Sequence, residues 1–212
     1  MNRRTALAAA LVGIAALSFP AAPTALAEQP TSTPQASHVA PRAEHVIDFE
    51  HQWQETGYWC GPAATRVALT AVGQYPSQAD LAAELPTDEQ GTDHISQVTD
   101  VLNARGAGDY VTTEMPNDPP TAEQEAKLWD DVVRSVDAGR GLVANIVAPP
   151  SNHPPGYPSD QTIYHYFTVV GYNAETSQVY IADSAGFSQG TYWLDFHKFA
   201  TLIPPKGYSA IA

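Results

Sequence analysis

Cysteine is nearly absent: the 212-residue chain has one, Cys60. A single thiol excludes an intramolecular disulfide framework and any multi-cysteine zinc site. Cations are scarce as well. Ten Lys and Arg face 23 Asp and Glu, for a formal charge of −13. A chain this acidic is repelled by phosphate, which excludes a general nucleic-acid binder. Beyond the first 27 residues no apolar run is long enough to span a bilayer, so no integral membrane domain is expected. There is no internal repeat, no H-E-x-x-H, no phosphate-binding glycine loop and no dinucleotide fingerprint. His153 and His165 lack a metal-like spacing, and neither metal nor cofactor is expected. What remains is a composition of 43% hydrophobic and 16% charged residues, suited to one folded domain with a buried core.

The N-terminus reads as an address. Arg3 and Arg4 form a basic region, Ala6 to Phe19 are apolar and uncharged, and Ala25-Leu26-Ala27 is a small-x-small cleavage site. Residues 1–27 therefore predict a secretory signal, with a core too short for a transmembrane span. The Arg pair leaves the twin-arginine route open beside the general one. Cleavage removes Arg3 and Arg4 and no acid, so the secreted protein is more acidic still. A lone thiol outside the cell is exposed to oxidation, which points to a working cysteine or a deeply buried one. Residues 28–46, rich in Pro, Ser, Thr, Ala and Gln, read as a flexible leader, and 47–212 as one domain acting as a monomer.

Within that domain, Cys60-Gly61-Pro62 opens a helix to about Val72, with Pro62 at the first position and Ala63, Val67, Ala68 and Ala71 on one apolar face. Ser77 and Asp80 read as a capping pair for a short helix stopped by Pro86. Thr92 is the expected cap of the next helix, carrying Ile95, Val98, Val101 and Leu102. Thr121 caps another, carrying Leu128, Trp129, Val132, Val133 and Val136 and ending near Gly139. The texture then changes. Residues 141–147, 163–172, 178–183 and 190–194 read as strands, and 196–202 as a short helix. Helices first and antiparallel strands second make an α+β fold of two lobes with a cleft between them.

Cys60 stands at a helix start, where the peptide dipoles lower a thiol pKa and favour the nucleophilic thiolate. Gly61 beside it is expected to let a substrate approach the backbone. A thiol nucleophile needs a base. Of the seven histidines, only His165 lies within a strong strand, among Tyr164, Tyr166 and Phe167. A base needs an orienter, and Asp183 ends the next strand, a hairpin's length away. Acyl chemistry also needs an oxyanion donor. Gln54 and Gln52 are both within reach in sequence, and spacing does not choose between them. The loop 149–161 rims the cleft or merely connects strands. Trp59 and Trp193 screen the site or pack in the core.

The set Gln54-x5-Cys60-Gly61-Pro62-Ala63, His165-Tyr-Phe-Thr-Val-Val-Gly171-Tyr172 and Asp183 resembles cysteine-peptidase family thirty-nine, from about Phe49 to Gly186. The resemblance implies a papain-like fold, with a helical lobe carrying the Cys and an antiparallel β lobe carrying the His. It implies Cys60 as nucleophile, His165 as base, Asp183 as orienter and Gln54, not Gln52, in the oxyanion hole. It implies a cysteine peptidase acting on peptide or protein substrates. The members that trim double-glycine leaders of bacteriocins are fused to a membrane transporter; this chain carries an export signature, so double-glycine processing is not carried over. Asp183 is followed by Ser184 where Pro is usual. Two other classes stay open on the same residues: an acyl transferase that puts an amine in place of water, and a secreted binding module without turnover.

Overall fold

The computed structural model describes residues 43–212; residues 1–27, read above as a secretory signal, and the expected leader as far as residue 42 lie outside the described residues. The chain runs β1 (Glu44–Val46), α1 (Cys60–Thr70), α2 (Gln78–Glu84), α3 (Ile95–Ala104), β2 (Tyr110–Glu114), α4 (Ala122–Asp137), β3 (Leu142–Ala148), β4 (Ile163–Asn173), β5 (Gln178–Ala182), β6 (Thr191–Asp195), α5 (Phe196–Leu202) and β7 (Gly207–Ile211). The strands form one antiparallel sheet in the order β2-β7-β3-β4-β5-β6. β1 extends it where β3 ends: β3 pairs β4 as far as Val169, and β1 takes the same edge from Gly171 to Asn173. Among the described residues, strand pairing therefore begins at Glu44, inside the segment expected to be a leader. Gly171 makes this possible, because a Cβ there would stand 2.7 Å from the His45 carbonyl oxygen.

Side-chain alternation along the sheet separates two cores. Leu142 and Ala144 of β3 and Phe167 and Val169 of β4 pack with Leu128, Val132 and Val136 of α4 and Phe199 of α5. Val143 and Tyr166, from the alternate positions, pack with Ala64, Ala68 and Leu69 of α1, Leu81 of α2 and Val98 and Leu102 of α3. All eleven residues of α1 are buried. Its small side chains bring it against β4, where the Thr168 hydroxyl donates to the Ala64 carbonyl at 2.8 Å. Full burial of a single side chain such as Leu69 contributes about 2–3 kcal/mol.

Local signals set the helix starts. Ser77 and Thr121 cap α2 and α4 as expected, the latter in a capping box with Gln124. α1 begins at Cys60, so Pro62 is its third residue; its missing N–H still falls in the first turn, where those groups have no intrahelical partner. α3 is capped by His94, whose Nδ1 accepts from the Ser96 N–H, and not by Thr92. Strands β2 and β7 lie outside the expected set. They pair with each other from distant parts of the sequence, Tyr110 opposite Ile211 and Glu114 opposite Gly207, a partnership no local pattern announces.

Candidate active site

Three elements converge on one point. α1 presents Cys60 at its N-terminus, 9% exposed. β4 presents His165, buried and opposite Ile146 of β3. β5 pairs Ala182 with Thr168, so the next residue, Asp183, continues toward the start of β4. The Asp183 N–H donates to the Gly190 carbonyl at 2.8 Å, which closes the turn.

His165 Nε2 donates to Asp183 Oδ1 at 2.9 Å. The ring also hydrogen-bonds the Cys60 thiol, a contact that falls to Nδ1 because Nε2 is taken. Burial, the largest influence on Cys60, pushes its thiol up; the His165 hydrogen bond and charge, with the Tyr166 and Gly61 N–H groups, outweigh it and hold the thiol below its ordinary value. Burial pushes His165 down, but the Asp183 and Cys60 charges and hydrogen bonds raise it to about 10. Burial pushes Asp183 up, and the His165 charge and hydrogen bond, with the Ala185 N–H and Tyr192 hydroxyl, hold it down to about 2. The three groups thus favour a thiolate, an imidazolium and a carboxylate in series.

Asp183 has more partners than the sequence reveals. The Ala185 N–H donates to Oδ1 at 2.9 Å, and the Tyr157 and Tyr192 hydroxyls donate to Oδ2 at 2.9 and 2.7 Å. His51 Nε2 donates to the Asp183 carbonyl at 2.8 Å, its ring lying where a Cβ on Gly190 would be. No sequence signal marks Tyr157, Tyr192 or His51. The loop 149–161 is thereby more than a connector, since it delivers Tyr157. The remaining described histidines serve elsewhere: His45 pairs with Asp137 at 2.9 Å, His94 caps α3, His153 bonds the Pro154 carbonyl and His197 pairs with Glu125 at 3.0 Å.

The two glutamines separate. Gln52 Oε1 accepts from Gln78 of α2 at 2.9 Å. Gln54 lines a cavity with Cys60 and His165. Its backbone N–H donates to the Ser184 carbonyl at 3.1 Å, and its side-chain amide spends one donor on the Thr56 carbonyl at 2.9 Å. Gly61 also makes room for a neighbouring side chain. A Cβ there would stand 2.2 Å from Thr92 Oγ1, so the glycine admits Thr92. The Thr92 carbonyl in turn accepts from the Tyr166 hydroxyl at 3.1 Å, which itself accepts from Asn145 Nδ2 at 2.8 Å. Trp193 packs at a tilt against Tyr180 across β5 and β6, ring centroids 4.9 Å apart, and Trp59 meets Tyr58 edge-on.

Cys60, Tyr164 and His165 are shared by two depressions. One, of about 220 Å³, is polar: Gln90, Asp93, Asn145 and Lys206 line it. The other, of about 260 Å³, carries Ile163, Ala185 and Phe187 beside Gln54 and Gly57. Tyr164, 67% exposed, stands under Lys206, whose Nζ lies 5.9 Å from the ring centre. Among the described residues no cluster of His, Cys, Asp and Glu is placed to hold a metal ion, and no helix is long and apolar enough to cross a membrane.

A family model described as the Peptidase_C39 like family matches residues 46–208. The chain belongs to that family. Three solved structures share the fold of this C39-like chain. A Bacillus anthracis protein described as a C39-like peptidase matches with TM-score 0.53 at 13% identity, over 80% of this chain and 98% of that one. The peptidase domain of Streptococcus ComA, a bi-functional ABC transporter involved in a quorum-sensing pathway, matches with TM-score 0.50 at 16% identity, over 78% and 100%. Xylellain, a cysteine protease from Xylella fastidiosa, matches with TM-score 0.50 at 14% identity, over 85% and 90%. No curated protein sequence matches the chain. The C39-like chain thus has the α+β papain-like fold anticipated from its motifs, with the Cys on the helical side and the His on the antiparallel sheet.

Proposed function

We propose that this C39-like chain is an exported cysteine peptidase in which Cys60 is the nucleophile, His165 the acid and base, Asp183 the orienter and Gln54 an oxyanion donor. The observation that carries the reading is the buried imidazole joining the Cys60 thiol on one nitrogen to Asp183 on the other. In this mechanism the Cys60 thiolate attacks the scissile carbonyl carbon. Charge develops on the carbonyl oxygen, where the Cys60 N–H and the Gln54 amide stabilise it, each donor contributing about 3 kcal/mol. His165 then gives its proton to the leaving amine as the C–N bond breaks, leaving a thioester. Water, losing a proton to His165, hydrolyses the thioester and returns the thiol.

The two depressions support a peptide substrate. Each is smaller than the roughly 300–1,000 Å³ of a small-molecule site, and each suits a side chain. Their linings favour a polar residue on one side of the cleaved bond and an apolar one on the other. Export is supported by the basic, apolar and small-residue order of residues 3–27 and is checked by the N-terminus of the secreted chain, expected at Glu28.

The test is cleavage of a mixed peptide library followed by mass spectrometry, with Cys60→Ala and His165→Ala as comparisons. Both variants are expected to lose cleavage while keeping the native circular dichroism spectrum. Full activity in Cys60→Ala overturns the mechanism. Products that carry an added amine in place of water would replace hydrolysis by acyl transfer.

A further inference from the structure

We propose that Tyr157 and Tyr192 are positioning residues, a pair of hydroxyls that keeps Asp183 ionised and aimed at His165. The inference rests on the reading of Asp183 as the orienter. A buried carboxylate requires donors on both oxygens. Oδ1 has the His165 Nε2–H and the Ala185 N–H; Oδ2 has the two phenols, at 2.9 and 2.7 Å. An aspartate that merely ended a strand would be served by the Ala185 N–H alone. Here two distant elements, the loop 149–161 and β6, converge on one oxygen.

The loop is held for that purpose by close contact. Gly156 has φ +79°, and a Cβ there would stand 2.5 Å from the Phe187 carbonyl oxygen. Tyr157, 4% exposed, meets His165 edge-on at 6.0 Å and Phe187 at 5.0 Å, so its ring also covers the imidazole. Burial and the Asp183 charge hold both phenols above their usual range, and they stay protonated donors wherever the thiol works. The groups facing Asp183 are His165 with Cys60 beyond it, the two tyrosines, and His51 on the backbone carbonyl. Removing the hydroxyls strands charge on Oδ2. Asp183 then binds a proton at higher pH, the imidazolium loses its counter-charge, and the thiolate is lost with it.

The experiment is the pH dependence of Cys60 alkylation by iodoacetamide, read by mass spectrometry, which needs no substrate. Wild type, Tyr157→Phe, Tyr192→Phe and the double variant are compared with Tyr180→Phe, whose hydroxyl bonds Thr191 and not Asp183. The acid limb is expected to move up by about half a pH unit in each single variant and about one unit, tenfold on the limb, in the double. Tyr180→Phe is expected to leave it unmoved. A double variant that is folded yet coincides with wild type overturns the proposal, as does an equal shift in Tyr180→Phe. Should the double variant not fold, Tyr192→Phe on the edge strand carries the test on the same terms. Failure of the underlying reading looks different: wild type itself would alkylate slowly below neutral pH, indistinguishably from His165→Ala.

Discussion

Two aspartates, Asp131 and Asp183, are buried in the domain, and their partners set them apart. Asp131 of α4 accepts from the Tyr208 hydroxyl at 2.7 Å, from Lys127 at 2.6 Å and from Arg134. Asp183 likewise accepts tyrosine hydroxyls at 2.9 and 2.7 Å, but its cationic partner is His165. Ammonium and guanidinium groups hold their charge through neutral pH and have no acceptor, so the Asp131 cluster only fastens α4 to β7. An imidazole can give its proton up and has a second nitrogen, here turned to a thiol. The same solution to burying a carboxylate is a fastening in one place and, on the proposed mechanism, a proton relay in the other.

Breaking each cluster should separate these roles. On the proposed mechanism Asp183→Ala has the largest effect, lowering kcat/KM by about 10²–10⁴-fold, with a smaller loss in Asp183→Asn because an amide oxygen still accepts from His165. Asp131→Ala is expected to cost about 2–3 kcal/mol of stability, discounted because Lys127 and Arg134 are half exposed, and to leave the Cys60 alkylation profile in place. Thermal unfolding and alkylation measured on the same samples distinguish the two, and a shifted alkylation limb in Asp131→Ala would erase the contrast. Gly61→Ala comes next. Crowding Thr92 should destabilise by about 1–3 kcal/mol, and Thr92→Ser in the same chain should not recover it, because Oγ1 is the nearest atom.

The pH dependence of stability gives the finest comparison. Asp183 is held at about 2, so its contribution is present above the unfolded value of about 3.9 and is lost as pH falls through about 2. His165 is raised to about 10, so its contribution is complete below about 6.5 and is lost as pH rises through about 10. Denaturant unfolding should therefore show an alkaline loss that His165→Ala removes and Asp131→Ala retains.

Much of the fold is legible in the chain. Ser77 and Thr121 cap helices because a side-chain oxygen three residues before an amide finds it without tertiary help. The β-branched and aromatic run 163–172 becomes β4 for the same local reason. The His94 cap is not legible because histidine is a rare cap, and its capping box depends on ring orientation. β2 and β7 are not legible because their pairing partners, each other and, for β7, also β3, lie far away in the chain. In the site, Cys60, His165 and Asp183 stood out by residue type and neighbours. Tyr157, Tyr192 and His51 did not, because a phenol or imidazole in a loop or edge strand has many ordinary uses.

The sequence by itself determined the inventory and the local geometry: one thiol at a helix start, one histidine in a buried strand, one aspartate at the next strand's end. These follow from short-range forces, from dipoles, caps and side-chain alternation, that act within a few residues. Tertiary structure alone decided which hydroxyls reach Asp183 and which nitrogen of His165 meets each neighbour. Those choices turn on hydrogen bonds near 3 Å between residues far apart in the chain, and only the packing of α1 against β4 and of the 149–161 loop against the Asp183 turn sets such distances.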